Sequence, residues 1–288
     1  MKVGDMIIDV HSHAWRYPGD FTEDFRRQAM RARAGVEVDL TVRYEDYRAA
    51  APPETKTVVF GGKAKLSGVW VDDGDVARYV GAHSDTLIGF LSVDPTQDGW
   101  EREMEHGHQG LGLRGIKLLP MYAGFRPDDA RLDALWKYAT RNQLPVMLHT
   151  GTTFVAQAPL ECTLPRHLDA VAIRFPEVKI IMAHLGHPYE GEAIVTARKH
   201  PNVYADVSAL HYRPFQLYQS LMLAQEYGVW DKLLFGTDYP FTTVNASIAG
   251  LRGLNDMTRG TGLPRLDEQA IEAMIHRDAL SLLNLNER

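Results

Sequence analysis

Two histidines one residue apart, His11 and His13 in the stretch DVHSHAW, follow the apolar pair Ile7-Ile8 near the start of the chain. On an extended strand, residues two apart project to the same side. Both imidazoles therefore leave one face together, a geometry that suits two ligands of one metal ion and is out of place in an apolar core. Further along come Lys117 in GIKLLP, His149 in VMLHTG, His184 in MAHLGHP, Asp206 in YADVS and Asp238 in GTDYP. Lys117 precedes His149 by 32 residues, His149 precedes His184 by 35, and Asp206 precedes Asp238 by 32. Three imidazoles and one carboxylate make a donor set that suits zinc, manganese or iron. With neutral histidines and one ionised aspartate, such a site keeps a net charge of about +1, enough to bring the pKa of a bound water towards ~7 and to polarise a substrate oxygen. His106 and His108, in EMEHGHQG, have the same spacing but lie among charged residues at an expected helix end, where they would be solvated or capping. Strand context, not spacing alone, selects the first pair.

The elements that carry these residues recur regularly. Short apolar runs appear at 6–10, 57–60, 87–93, 114–119, 145–149, 179–184, 202–207 and 232–237. They are almost continuously apolar, as expected of parallel strands covered on both faces. Amphipathic stretches lie between them. One runs over 128–142, with Leu132, Leu135, Trp136 and Ala139 at helical spacing and an acidic, Pro-led start. Another covers 214–228 and stops at a glycine. Eight such units predict one (β/α)₈ TIM barrel spanning 1–288. A doubly wound sheet would place a glycine-rich phosphate turn after its first strand; histidines stand there instead. The intervals of about one unit then bring the titratable residues to the C-terminal ends of the strands, where barrel active sites are built. A long insertion from Ala14 to Lys56 carries two expected helices, over 21–35 and 44–54, as a cap near the barrel mouth.

Composition narrows the functional classes. The net charge is −6 with no basic cluster, which gives no nucleic-acid-binding surface. Cys162 is the single cysteine, so no internal disulfide can form. The first residues lack a signal-peptide core, and no apolar run approaches the ~20 residues of a membrane span. The expectation is a cytoplasmic protein acting on a small molecule, with homo-oligomerisation left open.

DVHSHAW, GIKLLP, VMLHTG, MAHLGHP and GTDYP, in this order and spacing, resemble the metal-dependent amidohydrolase superfamily. The likeness is closer to its amidohydrolase-related branch, which includes aminocarboxymuconate semialdehyde decarboxylase. It runs from Ile7 to about Leu283. The resemblance implies His11, His13, His149 and Asp238 as ligands of one divalent ion, zinc first, with manganese and iron as alternatives. It implies Asp238 as the proton carrier and His184 as an acid–base or polarising group facing the substrate. In binuclear members a carboxylated lysine bridges two metals. Lys117 occupies that region, but one metal is the rule in this branch, and an unmodified Lys117 could pair with a substrate carboxylate. Trp15, Lys117, His187 and Arg213 are the substrate-binding candidates. His187 either lines the pocket or shapes its Gly-Pro loop; Asp206 either orients a ligand or bonds backbone. Arg126, His211 and Tyr212 are further loop residues expected at the mouth. The expected activity is metal-dependent hydrolysis of an ester, lactone or amide, with decarboxylation or hydration as the alternative and a non-catalytic metal-binding barrel as a third reading.

Overall fold

The chain is described by a computed structural model over residues 6–32 and 39–286. Every expected apolar run forms a strand. They are β1 (Ile7–His13), β2 (Thr55–Phe60), β5 (Leu87–Ser92), β6 (Ile116–Leu118), β7 (Val146–Leu148), β8 (Ile180–Met182), β9 (Val203–Asp206) and β10 (Leu233–Leu234). A small antiparallel hairpin, β3 (Lys63–Ala64) with β4 (Val69–Trp70), stands between the second and third of these and was not expected. Its strands are two residues long, too short to leave a periodic signal. The eight main strands are parallel and pair in chain order. Backbone bonds close the ring between its ends: Val10 N–H to Phe235 O (3.0 Å), Asp238 N–H to His11 O (2.8 Å) and His13 N–H to Tyr239 O (3.0 Å). The fold is the expected (β/α)₈ barrel.

Alternating side chains fill two apolar layers. Val58, Phe60, Phe90, Met147, Ile181 and Leu234 face the lumen. Leu91, Ile116, Leu118, Val146 and Leu148 face the surrounding helices. The final helical turn, Ala279–Leu282, presses Ala279 and Leu280 into the lumen cluster and plugs one end. No helix among the described residues is long and apolar enough to cross a membrane.

The face used by the histidine pair depends on an irregularity in β1. Ile8 and Val10 face the lumen, so strict alternation would send His11 and His13 outward. The pairing with β2 slips between Asp9 and Ser12, which leaves one extra residue on β1. Such a bulge re-aims the following side chains. His13 is thereby paired with lumen-facing Phe60, and both imidazoles pack against the Phe60 ring, with centroids at 4.9 and 5.0 Å.

The insertion is only in part a cap. The first expected helix is observed as Glu23–Ala32; 33–35 lie outside the described residues. The second is Tyr44–Ala49, stopped before Pro52-Pro53, which cannot continue a helix. It lies against the barrel wall rather than the mouth, where Tyr47 donates its hydroxyl to Asp9 Oδ2 at 2.9 Å.

Candidate active site

Most of the expected residues converge at the C-terminal ends of the strands. Asp206 ends β9, His149 follows β7 directly, and His184 sits in the turn after β8. Asp238 lies beyond β10, on the segment that closes the barrel against β1. His184 and Asp238 are both in the left-handed region, at φ 58° and 62°. That conformation costs an L-residue about 1–3 kcal/mol, and strain of this kind gathers at functional sites.

One cluster joins His11, His13 and Asp238, all buried. Asp238 Oδ1 is 3.2 Å from His11 Nε2 and 2.9 Å from His13 Nε2. His11 Nδ1 lies 2.9 Å from Asp206 Oδ2. An ionised carboxylate only accepts, so Nδ1 carries the proton of neutral His11, and its Nε2 lone pair faces the Asp238 oxygen. Two acceptors at that distance require a cation between them, a proton or a metal ion. Donor atoms around an ion at about 2.0–2.2 Å stand roughly 2.8–3.6 Å apart, from octahedral to tetrahedral geometry, and both N–O separations fall in that range.

Burial keeps three of the four rings neutral, the form a metal ligand needs. Burial pushes the His13 imidazole down to about 3 and that of His184 to about 4, and with help from His184 it holds His149 well below its ordinary value. These rings are neutral at physiological pH, as ligands must be. Burial also presses His11 down, but Asp206 and Asp238 outweigh it and hold His11 above its ordinary value. Asp238 lies well below the carboxylate range: burial raises it, but His184, His11 and His13 prevail.

His149, expected as a fourth donor, is not among the atoms of this trio and stands beside His184. Its ring is 5.0 Å from that of His184, while its Nε2 lies 3.0 Å from the Thr152 carbonyl. A carbonyl only accepts, so Nε2 is protonated and Nδ1 holds the lone pair. Any ligand bond from this ring as placed therefore comes from Nδ1. A second acidic trio, His11, His184 and Asp206, is satisfied by the protein itself. Asp206 Oδ1 accepts the His184 and Ser208 backbone N–H groups at 3.0 Å each and also the Ser208 hydroxyl. Ser208 Oγ in turn accepts from His184 Nδ1 at 2.8 Å, which leaves the His184 Nε2 lone pair free. Asp206 thus accepts backbone N–H groups and also fixes the His11 ring.

Above the cluster opens a cavity of about 500 Å³, lined among others by Tyr122, His149, His184, His187, Arg213 and Asp238, with Ala29 and Leu40 from the insertion. Lys117 lies in the lumen, 1% exposed, its Nζ 4.2 Å from the Phe60 centroid. Burial pushes its ammonium down to about 8 against the pull of Asp206 and Asp238.

Several expectations need correction. Trp15 is a brace, not a substrate platform: its ring stacks on His13 at 3.6 Å and its Nε1–H is taken by Gly61 O at 2.7 Å. Arg126 pairs bidentately with Asp128 and does not line the cavity. His211 is not at the open mouth but packs inward, its Nε2 2.9 Å from Gly236 O. Tyr212 and Arg213 do line the cavity. His108 binds the Tyr138 hydroxyl at 2.9 Å, away from the cluster. Sequence reasoning missed Ser208 and Tyr122; both follow a singled-out residue closely, two after Asp206 and five after Lys117, but neither type announces chemistry.

The loops around the cavity are locked together at Gly151. It has φ 104°, and a Cβ there would stand 2.1 Å from the His187 carbonyl oxygen. Gly151→Ala should cost about 1–3 kcal/mol from the left-handed backbone alone, with the clash added. A melting temperature lowered by several degrees in differential scanning calorimetry is the expected result; an unchanged value would contradict the placement.

A closed parallel barrel with a strained, buried His/Asp cluster at the C-terminal strand ends is the architecture of a barrel enzyme. The chain belongs to the amidohydrolase family, whose sequence model, described as Amidohydrolase, matches residues 8–285. It falls in the amidohydrolase-related branch, and it is an enzyme of that superfamily. No curated protein matches its sequence. Among solved structures, an uncharacterized TIM-barrel protein from Bordetella bronchiseptica is 22% identical, with a TM-score of 0.70 over 98% of this chain and 100% of the other. A probable 2-pyrone-4,6-dicarboxylic acid hydrolase from Acinetobacter baumannii, with citric acid bound, is 15% identical at a TM-score of 0.65, covering 96% and 99%. A 5-carboxyvanillate decarboxylase from Novosphingobium aromaticivorans, complexed with manganese and a nitrobenzoic acid, is 14% identical at 0.64, covering 99% and 97%. At these identities the likeness establishes the shared barrel.

Proposed function

We propose that this enzyme is a metal-dependent hydrolase of small, carboxylate-bearing esters, lactones or amides. The observation that carries this reading is the approach of one Asp238 oxygen to two imidazole nitrogens, with a lone pair on His11 Nε2 turned towards it. His11, His13 and Asp238 would hold the ion, with His149 Nδ1 as the fourth donor. A divalent ion held there would polarise a carbonyl and acidify a neighbouring water.

The protein's own groups supply the rest. Asp238 receives the proton that the attacking water loses. The His184 Nε2 lone pair accepts a hydrogen bond from that water and orients it towards the carbonyl carbon. Lys117, buried in the lumen and not among the cavity's lining residues, would offer its ammonium to a substrate carboxylate that reaches into the barrel. The leaving group requires a proton in return.

Chelation tests the metal. The packed barrel does not need an ion to fold, so circular dichroism after chelation should match the untreated protein. Activity should fall by about 10²–10⁴-fold, the size of several kcal/mol of lost Lewis-acid help. Elemental analysis should find one divalent ion per chain; two, with a carboxylated Lys117, would sink the mononuclear assignment. The substrate is sought by screening lactones, amides and unsaturated acids. The same cluster would also serve decarboxylation, the reaction in the name of the Novosphingobium protein; release of carbon dioxide without hydrolysis would decide for it.

Lys117 gives a separate test. Lys117→Met should raise KM about 10–100-fold, the equivalent of one lost charge-assisted bond, with kcat changed little. With the wild-type ammonium pushed down to about 8, the charge is present below that pH and lost above it. The wild-type KM should therefore climb above about pH 8 and the variant's should not. A parallel climb in both would remove Lys117 from substrate binding.

A further inference from the structure

His187 belongs to none of the networks just described, yet it lines the same cavity. Its ring is held from behind. Nδ1 lies 2.6 Å from Glu190 Oε1, with the two side chains only 11% and 15% exposed. Glu190 opens the helix Glu190–Lys199 and is itself anchored. Ser220, on the helix Pro214–Glu226, shares its hydroxyl proton between that same Oε1 (2.9 Å) and Gln216 O (2.8 Å). The His187 backbone N–H also bonds His184 O at 2.9 Å, so this turn is tied to the strand end that carries His184.

An imidazole lining a reaction cavity, with a part-buried carboxylate fixing its Nδ1–H, is the arrangement by which a base is oriented and its cation stabilised. Glu190 is kept ionised: burial raises its carboxyl, but the bonds from His187, its own helix and Ser220 hold it below the usual range. Among the described residues, Glu190 is the carboxylate that His187 meets.

Hydrolysis moves two protons, one off the water and one onto the departing atom. Asp238 serves the first, with one oxygen already committed to His11 and His13. We infer that His187, positioned by Glu190, is the acid that protonates the leaving group. As the carbonyl-carbon–oxygen bond breaks, the electron pair goes to the leaving oxygen, and the His187 imidazolium, its Nδ1–H held by Glu190, passes its Nε2 proton to that oxygen and becomes neutral. Asp238 then releases the water-derived proton to solvent and His187 takes one up, so one water is consumed and no oxidant or reductant is needed. Glu190 is a positioning residue, since it acts through His187. This inference rests on the hydrolytic reading.

The test uses the metal-loaded enzyme and two monoesters with one acyl part and one distal carboxylate, mono(4-nitrophenyl) glutarate and monomethyl glutarate. Nitrophenolate leaves without protonation; methanol does not. His187→Asn should cut kcat on the methyl ester by about 10²-fold, the usual size of acid assistance, and on the nitrophenyl ester by less than about 3-fold. Glu190→Gln, which keeps an acceptor for Nδ1–H but removes the charge, should show the same asymmetry in smaller measure. It carries the test should His187→Asn fail to fold. Metal content and far-UV circular dichroism should match the wild type in both. Equal losses on the two esters would overturn the role of His187 and return the proton to Asp238, with the hydrolytic reading intact. Failure of the wild type to hydrolyse either ester would overturn both.

Discussion

Asp238→Asn is expected to lower turnover by at least about 10³-fold, because it removes a proton acceptor worth about 10²–10⁴-fold together with one ionic metal donor. The amide matches the carboxylate in shape, but its nitrogen cannot accept and its oxygen carries no full charge. With the wild-type carboxyl held well below the usual range, the effect should persist across all pH values at which the enzyme is folded. His149→Ala should cut metal affinity, since one of four proposed donors is lost. His184→Asn should leave metal content near the wild-type value while slowing turnover, because Ser208 occupies its Nδ1 and only its free Nε2 faces the reaction. Metal analysis and single-turnover rates on these three variants divide the roles. A His184→Asn protein as empty of metal as His149→Ala would make His184 a ligand.

Asp206→Asn should produce the largest loss of stability in the site. Asp206 is fully buried and accepts from His11 Nδ1, two backbone N–H groups and the Ser208 hydroxyl. An amide turns one acceptor into a donor, so it faces N–H groups with its own. Breaking one partner of a buried charged network costs about 3–5 kcal/mol, a fall in melting temperature on the order of 10 °C for a chain of this length. Metal affinity should drop about 10–100-fold as well, because His11 loses the group that sets its tautomer. The pH dependence has a definite sign. Burial raises the Asp206 carboxyl, but the neighbouring His11 and the hydrogen bonds from His11 Nδ1 and the Ser208 hydroxyl hold it below its unfolded value of 3.8. Its contribution is therefore present above about pH 4 and fades as the pH falls below that. The Asn variant should lack this acid-side loss; denaturant melts at pH 7 and pH 3 would show it. A variant as stable as the wild type at pH 7 would show the network to be dispensable.

Much of this protein could be read along the chain because its strands are buried on both faces. Such strands appear as local apolar runs whatever they pair with, so the barrel, the order of its units and the strand-end positions of His11, His13, His149, His184, Asp206 and Asp238 followed from residue type and spacing. Short-range rules did not extend to phase and partners. Alternation alone would have aimed His11 and His13 away from the lumen, and the bulge that corrects it is defined by pairing with β2. The bonds that set tautomers and charges join residues 195 positions apart, as His11 with Asp206, and 225 apart, as His13 with Asp238. They exist only because the ring closes. Tertiary pairing likewise fixed the Trp15 indole on Gly61 O and turned His211 to Gly236 O, whereas Arg126 with Asp128 and His149 with Thr152 are short-range bonds that residue type did not announce. A strand's side-chain period is a property of the local backbone; which face is the inside, and which groups meet there, are properties of the closed barrel.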